Sequence, residues 1–237
     1  MSLLRLSNMT MNRRLTTIAG MIQNSRGLID VGTDHGYLPV FLAQNGYTGR
    51  LLASDIKPLP LQSAICAAQD ASLEDRIGFL LCDGLDGCPR DEIDTIVIAG
   101  MGGDLICRIL DRAEWCLDAR YTLILQPMTR AEVLRYWLVN NGFVLSEERL
   151  VRDGFLYQII KAEYREKNMQ MTDAELFSGA WDNIKDDPLT GEMLDMLLQR
   201  FEKEQSGLLS SGRREEARLA LCRGIMDGLR EMKGKLR

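Results

Sequence analysis

Between residues 27 and 126 the chain alternates short β-rich runs with helical stretches, and no other feature narrows its possible folds so far. Strands are predicted over Gly27–Val31, Leu51–Asp55, Ile77–Leu81, Asp94–Ala99 and Tyr121–Gln126. Helices are predicted over Tyr37–Asn45, Leu59–Ser72 and Asp104–Asp111, and beyond the last strand over Arg130–Asn141. Runs such as TIVIA and TLILQ are apolar throughout rather than at every second position, the pattern of parallel strands covered on both faces. Such alternation builds a doubly wound α/β sheet. A short amphipathic helix precedes it, with Leu15, Ile18, Ala19 and Ile22 on one face and a basic polar side.

The alternation then breaks. Phe143–Val151 and Phe155–Ala162 are consecutive strand-like runs separated by Asp153-Gly154, which leaves room only for an antiparallel hairpin. Five parallel strands closed by such a hairpin resemble the seven-stranded sheet of class I methyltransferases more than a dinucleotide dehydrogenase. After Lys161 strand formers nearly vanish, so we divide the chain into a methyltransferase-like domain (1–162) and a helical, coiled-coil-like appendage (163–237). In the appendage Thr172 and Glu175 form a candidate capping box, Asp187-Pro188 marks a break, and Leu189–Gly207 and Arg213–Lys235 read as antiparallel helices around Ser210-Ser211-Gly212.

The 237 residues are 46% apolar and 27% charged, which is ordinary for a globular chain and excludes a disordered one. No stretch is long and apolar enough for a membrane span, and a cytoplasmic location is expected. Six cysteines without CxxC spacing and a single histidine signal neither a disulfide framework nor a metal site. The net charge of −5 argues against indiscriminate coating of nucleic acid. Local basic patches exist all the same: Arg5, Arg13, Arg14 and Arg26 with no acid before residue 30, and Arg213, Arg214, Arg218, Arg223 and Arg230 near the C-terminus.

In open α/β sheets the ligand lies outside the carboxyl ends of the strands. The first such end reads IDVGTDHGYLP, with Asp30, Gly32, Thr33, Asp34, His35 and Gly36 in the turn. The dinucleotide fingerprint GxGxxG is absent, and Asp34 would repel a pyrophosphate docked there. A cofactor with a sulfonium and an ammonium, as in S-adenosylmethionine, finds these acids favourable. Asp34 as a cap for the next helix is the competing reading. Asp55 follows Gly32 by 23 residues, near the interval of about 20 at which an acid meets ribose hydroxyls. Asp83-Gly84 closes the third strand, either as an acceptor for an adenine amine lying against Ile56 or as a plain turn. The fourth strand ends in IAGMGG, where Gly100 leaves room for a flat acceptor and Met101 can pack on it, or where glycine serves close packing. Gln126-Pro127 closes the fifth strand beside that place, Gln126 either bonding the edge of such an acceptor or satisfying backbone groups. Arg13 and Arg14 are candidates for a carboxylate or a phosphate, or are solvated helix charges. His35 is the one imidazole in the chain and is either a loop residue beside the cofactor or a purely structural one.

In this order and spacing, DVGTDHGYLP, DTIVIAGMGG, LILQP, LRYWLVNNGF and RDGFLYQII resemble the TrmK family of bacterial tRNA (adenine-22-N1)-methyltransferases over roughly residues 6–162. The resemblance implies a class I methyltransferase domain with a small helical domain behind it, S-adenosylmethionine as donor and tRNA as substrate. Met101, Gln126 and Pro127 would then position the acceptor, and Arg13, Arg14, Arg213, Arg214 and Arg218 would meet the tRNA. The rivals are an enzyme of the same fold acting on another RNA base or a small molecule, and a non-catalytic tRNA-binding module. The oligomeric state is left open.

Overall fold

A computed structural model describes residues 12–23, 25–167, 169–210 and 215–236. Among them the strands are β1 (Gly27–Val31), β2 (Arg50–Asp55), β3 (Ile77–Leu81), β4 (Thr95–Gly102), β5 (Thr122–Thr129), β6 (Phe143–Asp153) and β7 (Phe155–Tyr164). They form one sheet in the order β3-β2-β1-β4-β5-β7-β6. The first five run parallel, and β7 is antiparallel to both of its neighbours. This is the seven-stranded sheet that the alternation and the closing hairpin imply.

The expected helices are present: α1 (Arg13–Met21), α2 (Tyr37–Gln44), α3 (Pro58–Asp70), α4 (Gly103–Arg112) and α5 (Ala131–Asn140). Their starts have local causes. Asn12 accepts the Leu15 N–H at 2.9 Å and caps α1. Pro58 opens α3 in the first turn, where its missing N–H is no loss. Alternate residues of the central strands feed two apolar layers. Leu28, Leu51, Val97 and Ile124 pack under α1, α2 and α3, while Ile29, Ile96 and Leu125 pack under α4 and α5. Burial on both faces accounts for the unbroken apolar runs.

β7 continues to Tyr164, two residues past the expected domain boundary, because its last residues still pair with Phe143 and Val144 of β6. The remaining helices are α6 (Asp173–Ser178), α7 (Trp181–Ile184), α8 (Thr190–Ser210) and α9 (Glu216–Gly234). The Thr172–Glu175 capping box forms in both directions. α8 and α9 pack antiparallel over Leu194, Phe201, Ile225 and Leu229, and Leu150 of β6 completes that core.

The helical region is therefore docked on the hairpin rather than hanging free. Beneath it Arg135 of α5, wholly buried, donates to Glu148 of β6 at 2.7 Å, to Gln158 of β7 at 2.5 Å and to the carbonyl of Leu176 at 2.9 Å. The backbone N–H of Ala180 closes the cluster on Glu148 at 2.6 Å.

Candidate active site

The carboxyl ends of β1 to β4 surround an open cavity of about 440 Å³. After β1 the chain turns sharply, and the N–H groups of Gly32 and Thr33 both donate to the Ser54 carbonyl, at 2.8 and 2.9 Å. Gly32 has φ +72°, a left-handed conformation that favours glycine, and a Cβ there would lie 2.3 Å from the terminal methyl of the flexible Met101 side chain. Asp34 also takes a left-handed conformation, φ +53°, which Asp tolerates better than most residues. It lines the cavity and caps no helix, since the N-cap of α2 is Gly36 and no side chain caps that helix.

Asp55 and Ile56 from β2 and Asp83 and Gly84 from β3 line the same cavity, with Gly100 and Met101 of β4 opposite. One oxygen of Asp55 accepts the Lys57 N–H at 2.8 Å, which orients the carboxylate at the strand end. Asp83 is held at 2.6 Å by Arg112 of α4, whose guanidinium also pairs with Asp86. No local pattern announced Arg112, because the contact spans two βα units.

The structure separates four other predicted residues from this lining. Asp30 lies behind the turn, 6% exposed, with its carboxylate accepting the Thr33 hydroxyl at 2.7 Å. Burial pushes the Asp30 pKa up to about 6, while the Thr33 hydroxyl and the nearby Arg14 guanidinium pull it down and Asp55 adds to the rise. Gly36 faces Ala64 of α3. His35 turns into a separate shallow groove between α2 and α3 and stacks on Tyr37 with ring centroids 5.2 Å apart.

On the acceptor side β4 carries a bulge, so that Ala99 pairs with Gln126 and Met101 with Pro127. Gln126 is fully buried. Its carbonyl oxygen accepts from Arg14 at 2.5 Å and from the Gly100 N–H at 3.2 Å, and its amide donates to the Pro127 carbonyl at 3.0 Å. Both ends of this amide are engaged inside the protein, with the Arg14 side chain and with backbone groups. Arg14 reaches the centre from α1, passing over the Tyr157 ring at 5.6 Å, whereas Arg13 next to it is exposed. Pro127 also faces a second cavity, of about 480 Å³, between the hairpin tip and the helical region.

Of the predicted tRNA contacts in the tail, Arg213 and Arg214 lie outside the described residues. Arg218 is committed to Glu204 of α8 at 2.6 Å, and Arg230 to Asp227 and Glu202. Among the described residues no helix is long and apolar enough to cross a membrane, and no group of three or more His, Cys, Asp or Glu could hold a metal ion.

A βα sheet with a closing antiparallel hairpin, and with acids at the ends of its first strands, defines a methyltransferase domain, and the family model of that description matches residues 11–160. The chain is 32% identical over 175 residues to the tRNA (adenine(22)-N(1))-methyltransferase of Bacillus subtilis, covering 73% of this chain and 74% of the relative. The crystal structure of the B. subtilis M1A22 tRNA methyltransferase TrmK superposes with a TM-score of 0.85 at 27% identity, over 95% of this chain and 100% of the other. A Streptococcus pneumoniae protein in complex with S-adenosyl-L-methionine superposes with a TM-score of 0.75 at 29% identity, over 94% of this chain and 99% of the other. The chain belongs to the TrmK family of tRNA (adenine-22-N1)-methyltransferases.

Proposed function

We propose that the protein transfers the methyl group of S-adenosylmethionine to N1 of the adenine at position 22 of tRNA, as the name of its B. subtilis relative states for that protein. The observation that carries the cofactor is the chemistry of the 440 Å³ cavity: its lining holds three carboxylates, Asp34, Asp55 and Asp83, the last paired with Arg112, against one lysine, Lys57. That lining is hostile to a pyrophosphate and favourable to a cationic nucleoside. The glycines at 32, 84 and 100 keep the cavity open on three sides.

When bound, S-adenosylmethionine supplies an electrophilic methyl group on a sulfonium. Asp55 offers its free oxygen to ribose hydroxyls, Asp83 accepts from an adenine amine beside Ile56, and Asp34 faces the cationic end. Asp30 holds the turn through Thr33 and places negative charge behind it. The adenine of the substrate presents N1 with its own lone pair, so no side chain has to remove a proton first. The chain's task is positioning, which in favourable cases is worth about 7–11 kcal/mol. Gln126, clamped by Arg14 and the Gly100 N–H, sets the spacing of β4 and β5 where the base must enter. His35 stands in its own groove and is a loop residue, not a base. A cytoplasmic setting suits a tRNA substrate and six cysteines that are all free.

The test is mass mapping of tRNA incubated with the enzyme and labelled donor. A label on N1 of a single adenine is the expected result, and a label on another base alone refutes the proposal.

A further inference from the structure

The cavity between the hairpin tip and the helical region shares no lining residue with the 440 Å³ cavity, yet the two lie side by side. Pro127 pairs with Met101, which lines the cofactor cavity, and itself lines this second one. The two cavities thus border the ends of two paired strands, β4 and β5, and neighbouring strands lie about 5 Å apart.

Two features of its walls call for a ligand. Phe155, at the tip of the hairpin, is 74% exposed, a large ring that contributes little to any core. It meets Tyr157 edge-on with centroids 6.4 Å apart, and Tyr157 in turn carries the Arg14 guanidinium. On the opposite wall Arg200 of α8 lies 5.5 Å from the centre of the Phe177 ring. Other arginines of the lining are neutralised, Arg130 by Asp104 and Glu132 and Arg152 by Glu192, but Arg200 forms no ion pair among the described residues. Met128 and Met196 add apolar surface that is half exposed.

Exposed aromatic rings opposite an unneutralised guanidinium are the means by which proteins hold unstacked bases, with ring faces for the base and positive charge for its phosphate. We propose that this cavity receives a nucleobase adjacent to the target adenine, stacked on Phe155 with its phosphate on Arg200. The proposal rests on tRNA being the substrate. It also gives the helical region a definite task. The region completes the RNA site from α6 and α8, instead of clamping phosphates with the arginines of α9, two of which, Arg218 and Arg230, are tied to acids.

The experiment uses the full chain and tRNA carrying 2-aminopurine at the nucleotide on the 5′ or the 3′ side of the target adenine. Binding to the unsubstituted protein should quench the probe at one of the two positions, and Phe155→Ala should restore its fluorescence. Phe155→Ala and Arg200→Ala should each raise the KM for tRNA about tenfold with kcat changed less than twofold, the size expected for one lost base stack. Their affinity for S-adenosylmethionine should match that of the unsubstituted chain. Tyr136→Ala, which removes an exposed ring outside the cavity, should leave KM unchanged. An unchanged KM in both cavity variants, or no quenching at either neighbour, overturns the proposal while the methylation assignment stands. If the unsubstituted protein fails to methylate adenine in tRNA, the substrate assignment falls and this proposal with it.

Discussion

Replacing Arg135 by Met should destabilise the protein by about 3–5 kcal/mol, the usual cost of breaking a buried ion pair from one side. The side chains of Arg135 and Glu148 are 1% and 2% exposed, so water cannot take over for the missing partner. The substitution strands the Glu148 carboxylate with the Ala180 N–H as its remaining donor, and removes the donor from the Leu176 carbonyl and the Gln158 side chain. At a few degrees per kcal/mol for a chain of this size, the midpoint of thermal unfolding should drop by about 10 °C. Denaturant unfolding followed by circular dichroism measures the stability, and hydrogen exchange at the backbone amides of α6 reports whether the loss starts where the helical region docks. The double variant Arg135→Met/Glu148→Leu should recover more than half of the loss, since it removes the orphaned charge. A single variant within about 1 kcal/mol of the unsubstituted protein, or a double variant as unstable as the sum of two singles, would refute the view that this pair locks the helical region to the sheet.

Further expectations concern the cavity proposed for the cofactor and the tail. Asp34→Asn should weaken S-adenosylmethionine by about 1–2 kcal/mol, because a charged acceptor becomes a neutral one; calorimetry showing unchanged affinity contradicts the role given to this residue. Asp30 has a folded pKa of about 6 against an ordinary 3.8, so the folded form binds more protons between these values and loses stability as pH rises through that window. Asp30→Asn should therefore match the unsubstituted protein below pH 4 and exceed it above pH 6, by up to about 3 kcal/mol, in denaturation series across pH. A substitution that lowers stability equally at all pH values would show that its hydrogen bonds, not its charge, dominate. Truncation after Tyr164 keeps every sheet pairing but uncovers Leu150 and the Arg135–Glu148 pair, so the shortened domain should still bind the donor while unfolding at clearly lower denaturant. Equal stability of the two forms would mean that the docking contributes nothing.

What the sequence determined by itself is whatever depends on near neighbours. Unbroken apolar runs, the Asp153-Gly154 turn and the Thr172–Glu175 capping box are written within a few residues of where they act, and strands and helices stand where this pattern puts them. The acids that line the cavity at the strand ends were legible for the same reason: each sits at or just beyond the end of its own strand, and a doubly wound sheet brings those ends together. Side-chain destinations across the fold were not legible. Arg14 meets Gln126 over a separation of 112 residues, and Arg135 meets the Leu176 carbonyl over 41. Whether Gln126 faces a substrate or the protein interior, whether His35 enters the cavity, and which arginines of the tail remain free of acids are matters of packing between distant segments. Periodicity can say that a residue is on a helix or at a strand end. Only the insertion of β7 between β5 and β6 and the docking of α6 and α8 on the resulting edge decided what those side chains touch, because each partner exists in space only after the sheet order is set.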